Sequence, residues 1–97
     1  PVGALTFAAP DFSDFPCLAL ALQAAEEGGT APATLNAANE AAVEAFCQGR
    51  IGFLRIADVV ARVLEASDAE TDLSLETILA ADAEARRKAG EVIMQLR

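Results

Sequence analysis

The chain has 97 residues, a formal charge of −8 and 54% hydrophobic side chains, which makes one domain, or a domain with an arm. The charge excludes a nucleic-acid binder, which needs clustered lysine and arginine against phosphate, and it excludes adsorption to an anionic membrane. No apolar run approaches the roughly 20 residues of a membrane span.

Residues 1–15 read as extended or irregular. Leu5, Phe7, Phe12 and Phe15 are apolar anchors separated by Pro10 and acidic residues, and proline disfavours helix at Ala9 before it. An arm this apolar has to lie on something, either its own helices or another domain. The first residue is Pro1 and the only methionine is Met94, so the chain is read as processed or cut from something longer.

A first helix is predicted from about Pro16, where proline suits the first turn, with Asp14 near its positive end. Leu18, Ala21, Leu22 and Ala25 recur at helical spacing, and Gly28-Gly29 closes the helix. Thr30 is the expected cap of a second helix, with Pro32 just inside. Leu35, Ala38, Ala42, Val43 and Phe46 are its expected buried stripe, and Gly49 its stop. A third helix is predicted from about Leu54 to Ala66. Ile56, Val59, Val60, Val63 and Leu64 face inward, and Asp58 pairs with Arg62 on the outer face.

Residues 67–73 form a polar loop, after which Ser74 caps a short helical turn and Asp82 recaps the chain at a bend. The last helix then runs to about Leu96, with Ile78, Ala81, Ala85, Ala89, Val92 and Leu96 as its stripe. Glu84 with Lys88, and Arg87 with Glu91, are its expected surface pairs, and Gly90 marks a close approach to a neighbour. The predicted fold is all-α: an antiparallel four-helix bundle over residues 16–97, preceded by an extended arm over residues 1–15.

The chain offers little to catalysis. Histidine and tyrosine are absent, and Lys88 is the only lysine. Neither Cys17 nor Cys47 has a histidine to activate it; both are read as buried small hydrophobes in a reducing, cytoplasmic setting. No phosphate-binding glycine motif is present. Asp68-Ala-Glu70-Thr-Asp72 lacks the glycine and glutamate of an EF-hand, which places leucine at both positions here. Asn36, Asn39 and Glu40, at i, i+3 and i+4, are the one polar cluster without a surface explanation. Asparagine competes for backbone groups inside helices, so the cluster is expected to satisfy buried backbone of an irregular segment, such as the arm around Pro10.

Four stretches carry a family resemblance: Ala4-Leu-Thr-Phe-Ala-Ala-Pro-Asp11, Phe15-Pro-Cys-Leu18, Leu35-Asn-Ala-Ala-Asn-Glu40 and Asp82-Ala-Glu-Ala-Arg86. In this order and spacing the chain resembles the C-terminal portion of bacterial 1-deoxy-D-xylulose 5-phosphate reductoisomerases. The resemblance implies a homodimeric parent with an N-terminal NADPH-binding domain and a central domain holding a divalent cation (Mg, Mn or Co) and the substrate. It also implies that no catalytic, cofactor or metal residue lies in this stretch, because the family's functional residues lie upstream. The alternative is a free-standing acidic helical carrier or protein-interaction module, for which Ser74 would be the attachment point.

Overall fold

The computed structural model describes residues 16–96, which form four helices: α1 (Pro16–Glu27), α2 (Ala31–Cys47), α3 (Arg55–Glu65) and α4 (Leu75–Leu96). The expectations for the arm, including its anchors Leu5, Phe7, Phe12 and Phe15, lie outside the described residues. Within them the all-α bundle is as expected.

Each connection is set by local chemistry. Gly28 and Gly29 stand at φ +74° and +57°, the left-handed region open to glycine. The chain can therefore turn back at once, and α1 returns along α2. The end of α2 is a Schellman motif. Gly49 takes φ +74°, its N–H donates to the Phe46 carbonyl at 2.9 Å, and the Arg50 N–H donates to the Ala45 carbonyl at 2.9 Å.

The α2 helix is the axle of the domain, packed against α1, α3 and α4. Its buried residues are Ala31, Thr34, Ala37, Ala38, Ala42 and Ala45. This corrects the predicted stripe. Ala38 and Ala42 are buried, but Leu35 is only half-buried, and Val43 and Phe46 are exposed. Alanine is the right residue on an axle, because a methyl group lets two helix backbones approach closely. Ala85, Ala89 and Ile93 of α4 and Val59, Val60 and Val63 of α3 complete the core. The α3 stripe is as predicted, with Leu64 half-buried at its edge.

Five further expectations are corrected. The α4 helix is continuous through Asp82, with no bend, because the Asp82 carboxylate bonds the Arg86 side chain one turn on instead of a backbone N–H. Asp58 pairs with Arg55 at 3.1 Å, not with Arg62. Glu84 pairs with Arg87, which also holds Glu91 at 3.0 Å, while Lys88 leaves the charged face altogether. A Cβ placed on Gly90 would meet nothing within 4 Å, so no close approach exists there among the described residues. Cys17 and Cys47, near the start of α1 and at the end of α2, are both exposed.

Candidate functional site

Three polar assemblies order the helices: two tie one helix to another, and one builds the entry to α4. The first unites two of the sequence stretches singled out above. Glu40, on α2, accepts from Arg86 Nη2 at 2.7 Å, and Asp82 accepts from Arg86 Nε at 2.8 Å. One guanidinium thus bridges two carboxylates across the α2–α4 seam. The hydrogen bond to Asp82, and then the one to Glu40, hold Arg86 firmly protonated by raising its pKa. The sequence stretches Leu35–Glu40 and Asp82–Arg86 are therefore spatial neighbours, a pairing that sequence reasoning missed. The signal was available in principle: an unpaired acid on one predicted helix and an unassigned arginine on another.

The Asn36, Asn39 and Glu40 cluster is only partly brought together. Glu40 is taken by Arg86 and Asn36 is exposed. Asn39 is half-buried and lines a groove of about 150 Å³ with Cys17, Ala21, Leu35 and Val60. One helical face carries the three, but they converge on no common atom among the described residues.

The second assembly sits where α3 ends. Lys88 Nζ donates to the Ala66 carbonyl at 2.6 Å and to Ser67 Oγ at 3.3 Å, and Ser67 Oγ donates to the Val63 carbonyl at 2.7 Å. The carbonyl of the cap residue Ala66 is thereby satisfied by a cation where the helix dipole favours one, and the Val63 carbonyl by a hydroxyl.

The third is the entry to α4. Ser74 Oγ accepts from the Thr77 N–H at 3.3 Å, as a helix cap does. Asp72 accepts from the Ser74 N–H at 3.0 Å and from Thr77 Oγ1 at 2.9 Å. The Ser74 N–H bond, reinforced by the two hydroxyls, holds the Asp72 carboxyl below the ordinary carboxylate range. Ser74 is thus a capping residue tied into its own turn.

A polar groove of about 370 Å³ lies between the start of α2, the loop around Ser67–Glu70 and α4, with Thr30, Thr34, Glu84 and Lys88 on its walls. Its groups are engaged with one another: Thr30 bonds Glu70, and Lys88 bonds the end of α3. No group of three histidine, cysteine, aspartate or glutamate side chains able to hold a metal occurs among the described residues. These residues therefore do not supply a donor set for the divalent cation that the resemblance implies for the parent.

The arrangement defines an acidic, all-helical packing domain in which Arg86 ties α4 to α2 and Lys88 ties α4 to the end of α3. Residues 1–88 match the family described as the DXP reductoisomerase C-terminal domain, and the chain belongs to that family. It is 59% identical over 92 residues to the 1-deoxy-D-xylulose 5-phosphate reductoisomerase of Burkholderia lata, covering 95% of this chain and 23% of that protein. To the same enzyme of Ralstonia pickettii it is 58% identical over 91 residues, 94% of this chain and 23% of the relative. The solved structure of the Zymomonas mobilis reductoisomerase in complex with NADPH superposes with a TM-score of 0.83 at 45% identity, over 91% of this chain and 23% of that one. The chain thus spans about a quarter of the length of the relatives it matches.

Proposed function

We propose that this chain is the C-terminal helical domain of an NADPH-dependent 1-deoxy-D-xylulose 5-phosphate reductoisomerase. That enzyme rearranges its substrate and reduces the intermediate with hydride from NADPH, giving 2-C-methyl-D-erythritol 4-phosphate in non-mevalonate isoprenoid synthesis. The observation that carries this reading is 59% identity to a reductoisomerase through 95% of the chain, joined to a like fold in the NADPH-bound relative. The domain boundary falls at residues 15–16, the divalent cation and NADPH belong to the upstream domains, and the parent is a cytoplasmic homodimer.

The domain itself braces the catalytic body and carries no reacting group. Hydride transfer requires cofactor and substrate to be held in one geometry, and a stiff helical unit closing the subunit serves that requirement. Asn36, Asn39 and Glu40 are structural and not catalytic, with Glu40 locking α2 to α4.

The test is NADPH oxidation in the presence of substrate and manganese. The full-length enzyme is expected to consume NADPH, and the 97-residue chain alone to consume none. Turnover by the isolated chain would contradict the division of labour. Addition of a phosphopantetheine mass to Ser74 by a transferase would instead identify a carrier.

A further inference from the structure

We propose that the overhanging end of α2, with Val43 and Phe46 on the helix and Phe53 and Leu54 on the turn that follows, is the surface on which this domain docks against the polypeptide preceding it in the full-length enzyme. The inference rests on the reading of the chain as the C-terminal domain of a longer enzyme, and it assigns that domain a docking face.

Leu35, Asn39, Val43 and Phe46 succeed one another at i, i+4, i+8 and i+11, so they form one stripe of α2. The start of α1 roofs the first half of it, where Cys17 and Ala21 line a groove with Leu35 and Asn39. The α1 helix has 12 residues and α2 has 17, about 18 and 25 Å at 1.5 Å per residue. Because α1 begins beside Leu35 and Asn39, the stripe runs on past it uncovered. Val43 and Phe46 are each 39% exposed, Phe53 is 68% exposed and Leu54 85%. The Phe46 and Phe53 rings meet edge to face with centroids 5.7 Å apart. Single exposed leucines are ordinary, but a contiguous group of large apolar side chains marks an interaction surface. Arg50 and Arg55 flank it in sequence, giving the polar rim that interfaces carry.

The direction of the chain says what covers this face. Glu27, at the end of α1, is joined to Ala31 by a three-residue turn, and Cys17 lies beside Asn39. Followed backward, α1 therefore points along α2 toward Val43 and Phe46, so the chain enters α1 from this end of the domain. In the relatives the matched stretch is 23% of the protein and is described as its C-terminal domain, so most of the enzyme lies on that N-terminal side. The exposed Leu75 and Leu79 of α4 have no such tie to the entry of the chain.

Hydroxyl-radical labelling read by mass spectrometry tests the assignment, comparing the 97-residue chain with the full-length enzyme. Phe53 and Leu54 are expected to be oxidised at least about fivefold more slowly in the full-length enzyme, as side chains in a water-excluding interface core are. Equal rates in the two would overturn the inference. So would protection that appears in the 97-residue chain only as its concentration rises and is missing from the full-length enzyme, which would assign the face to a second copy. The variant Leu54→Ser is a second check: at 85% exposure it should leave the melting of the 97-residue chain unchanged and lower that of the full-length enzyme, and no change in either would count against the assignment. NADPH turnover by the same full-length preparation is read separately, so active enzyme with unprotected Phe53 and Leu54 sinks the docking face and leaves the functional reading standing.

Discussion

Thr30 and Glu70, forty residues apart in the chain, exchange a reciprocal pair of hydrogen bonds. The Thr30 N–H donates to the Glu70 carbonyl at 2.9 Å, and the Glu70 N–H donates to Thr30 Oγ1 at 2.8 Å. Thr30 is 1% exposed, so the hydroxyl expected to cap α2 is spent on another segment, and α2 has no side-chain cap bond from Thr30. The pair pins the α1–α2 turn to the loop that leads into α4. Thr30→Val keeps the shape and removes the acceptor, leaving the Glu70 N–H short of a partner. It is expected to cost about 1–3 kcal/mol, the penalty of an unsatisfied polar group, while Thr30→Ser should retain most of the stability. Urea unfolding of the two variants against the parent reads the difference.

Gly29 belongs to the same junction. A Cβ there would clash with the Glu70 carbonyl oxygen, on backbone already at φ +57°. Gly29→Ala therefore meets a backbone clash and an unfavourable conformation together. It should be the more damaging of the two glycine changes at this turn, since a Cβ on Gly28 meets nothing. Thermal melts of Gly28→Ala and Gly29→Ala should rank in that order.

Lys88 shows how a side chain can leave the role its sequence neighbours imply. Its spacing from Glu84 predicts a surface ion pair, yet its ammonium reaches the Ala66 carbonyl. Lys88→Met keeps the stem and removes the donor, and is expected to cost about 0.5–1.5 kcal/mol, the worth of a hydrogen bond. Glu84→Gln should leave that contact intact. The diagnostic readout is hydrogen exchange at the last turn of α3, which should speed up in Lys88→Met and stay unchanged in Glu84→Gln.

Local punctuation was legible in the sequence, and so was the α3 stripe. Gly28-Gly29, Gly49 and Ser74 each stop or start a helix by a mechanism that acts within a few residues, which sequence spacing captures. The partners of Lys88, Thr30 and Arg86 were not legible, because each bond crosses from one element to another and depends on how the helices are rotated about their axes. Val43 and Phe46 were misplaced for a related reason. Hydrophobic periodicity says which face of α2 is apolar, but the length of α1 decides how far along that face the cover extends. The Asn36, Asn39 and Glu40 face was visible as a cluster; that only Glu40 crosses to α4 depends on where Arg86 sits.

The entry to α4 should give the domain an acid-sensitive element. Asp72 is held below the ordinary carboxylate range by the Ser74 N–H and by the Thr77 and Ser74 hydroxyls. A carboxyl depressed in the folded state adds stability above its unfolded pKa, and that stability is lost as pH falls through the folded value. The contribution should therefore be complete above about pH 4, the ordinary aspartate value, and disappear below it. Glu84 is lowered as well, by its bond to Arg87, so the informative quantity is the difference between parent and Asp72→Asn. That difference should be constant from neutral pH down to about pH 4 and then shrink. Ser74→Ala removes the cap as well and should cost about 0.5–2 kcal/mol at neutral pH. A difference between parent and Asp72→Asn that stays flat through the acid range would show that the turn holds without the charge.

Adjacent residues on α4 separate the inside of the bundle from its outside. Ala89 is fully buried in the cluster that includes Ala38 and Ala42 of α2, where helix spacing is set by methyl groups. Ala89→Leu inserts three carbons into a close-packed seam, and overpacking of this kind costs about 1–3 kcal/mol. Gly90, one residue on, faces open space in the interior of a helix, where glycine is less favourable than alanine by about 1 kcal/mol. Gly90→Ala should therefore stabilise the chain by up to that amount, since the added methyl meets no neighbour. Two changes that each enlarge a small residue, side by side on one helix, are expected to move the urea midpoint in opposite directions. Destabilisation by Gly90→Ala would mean that a neighbour packs against α4 at this point, as the sequence reading of a close approach expected.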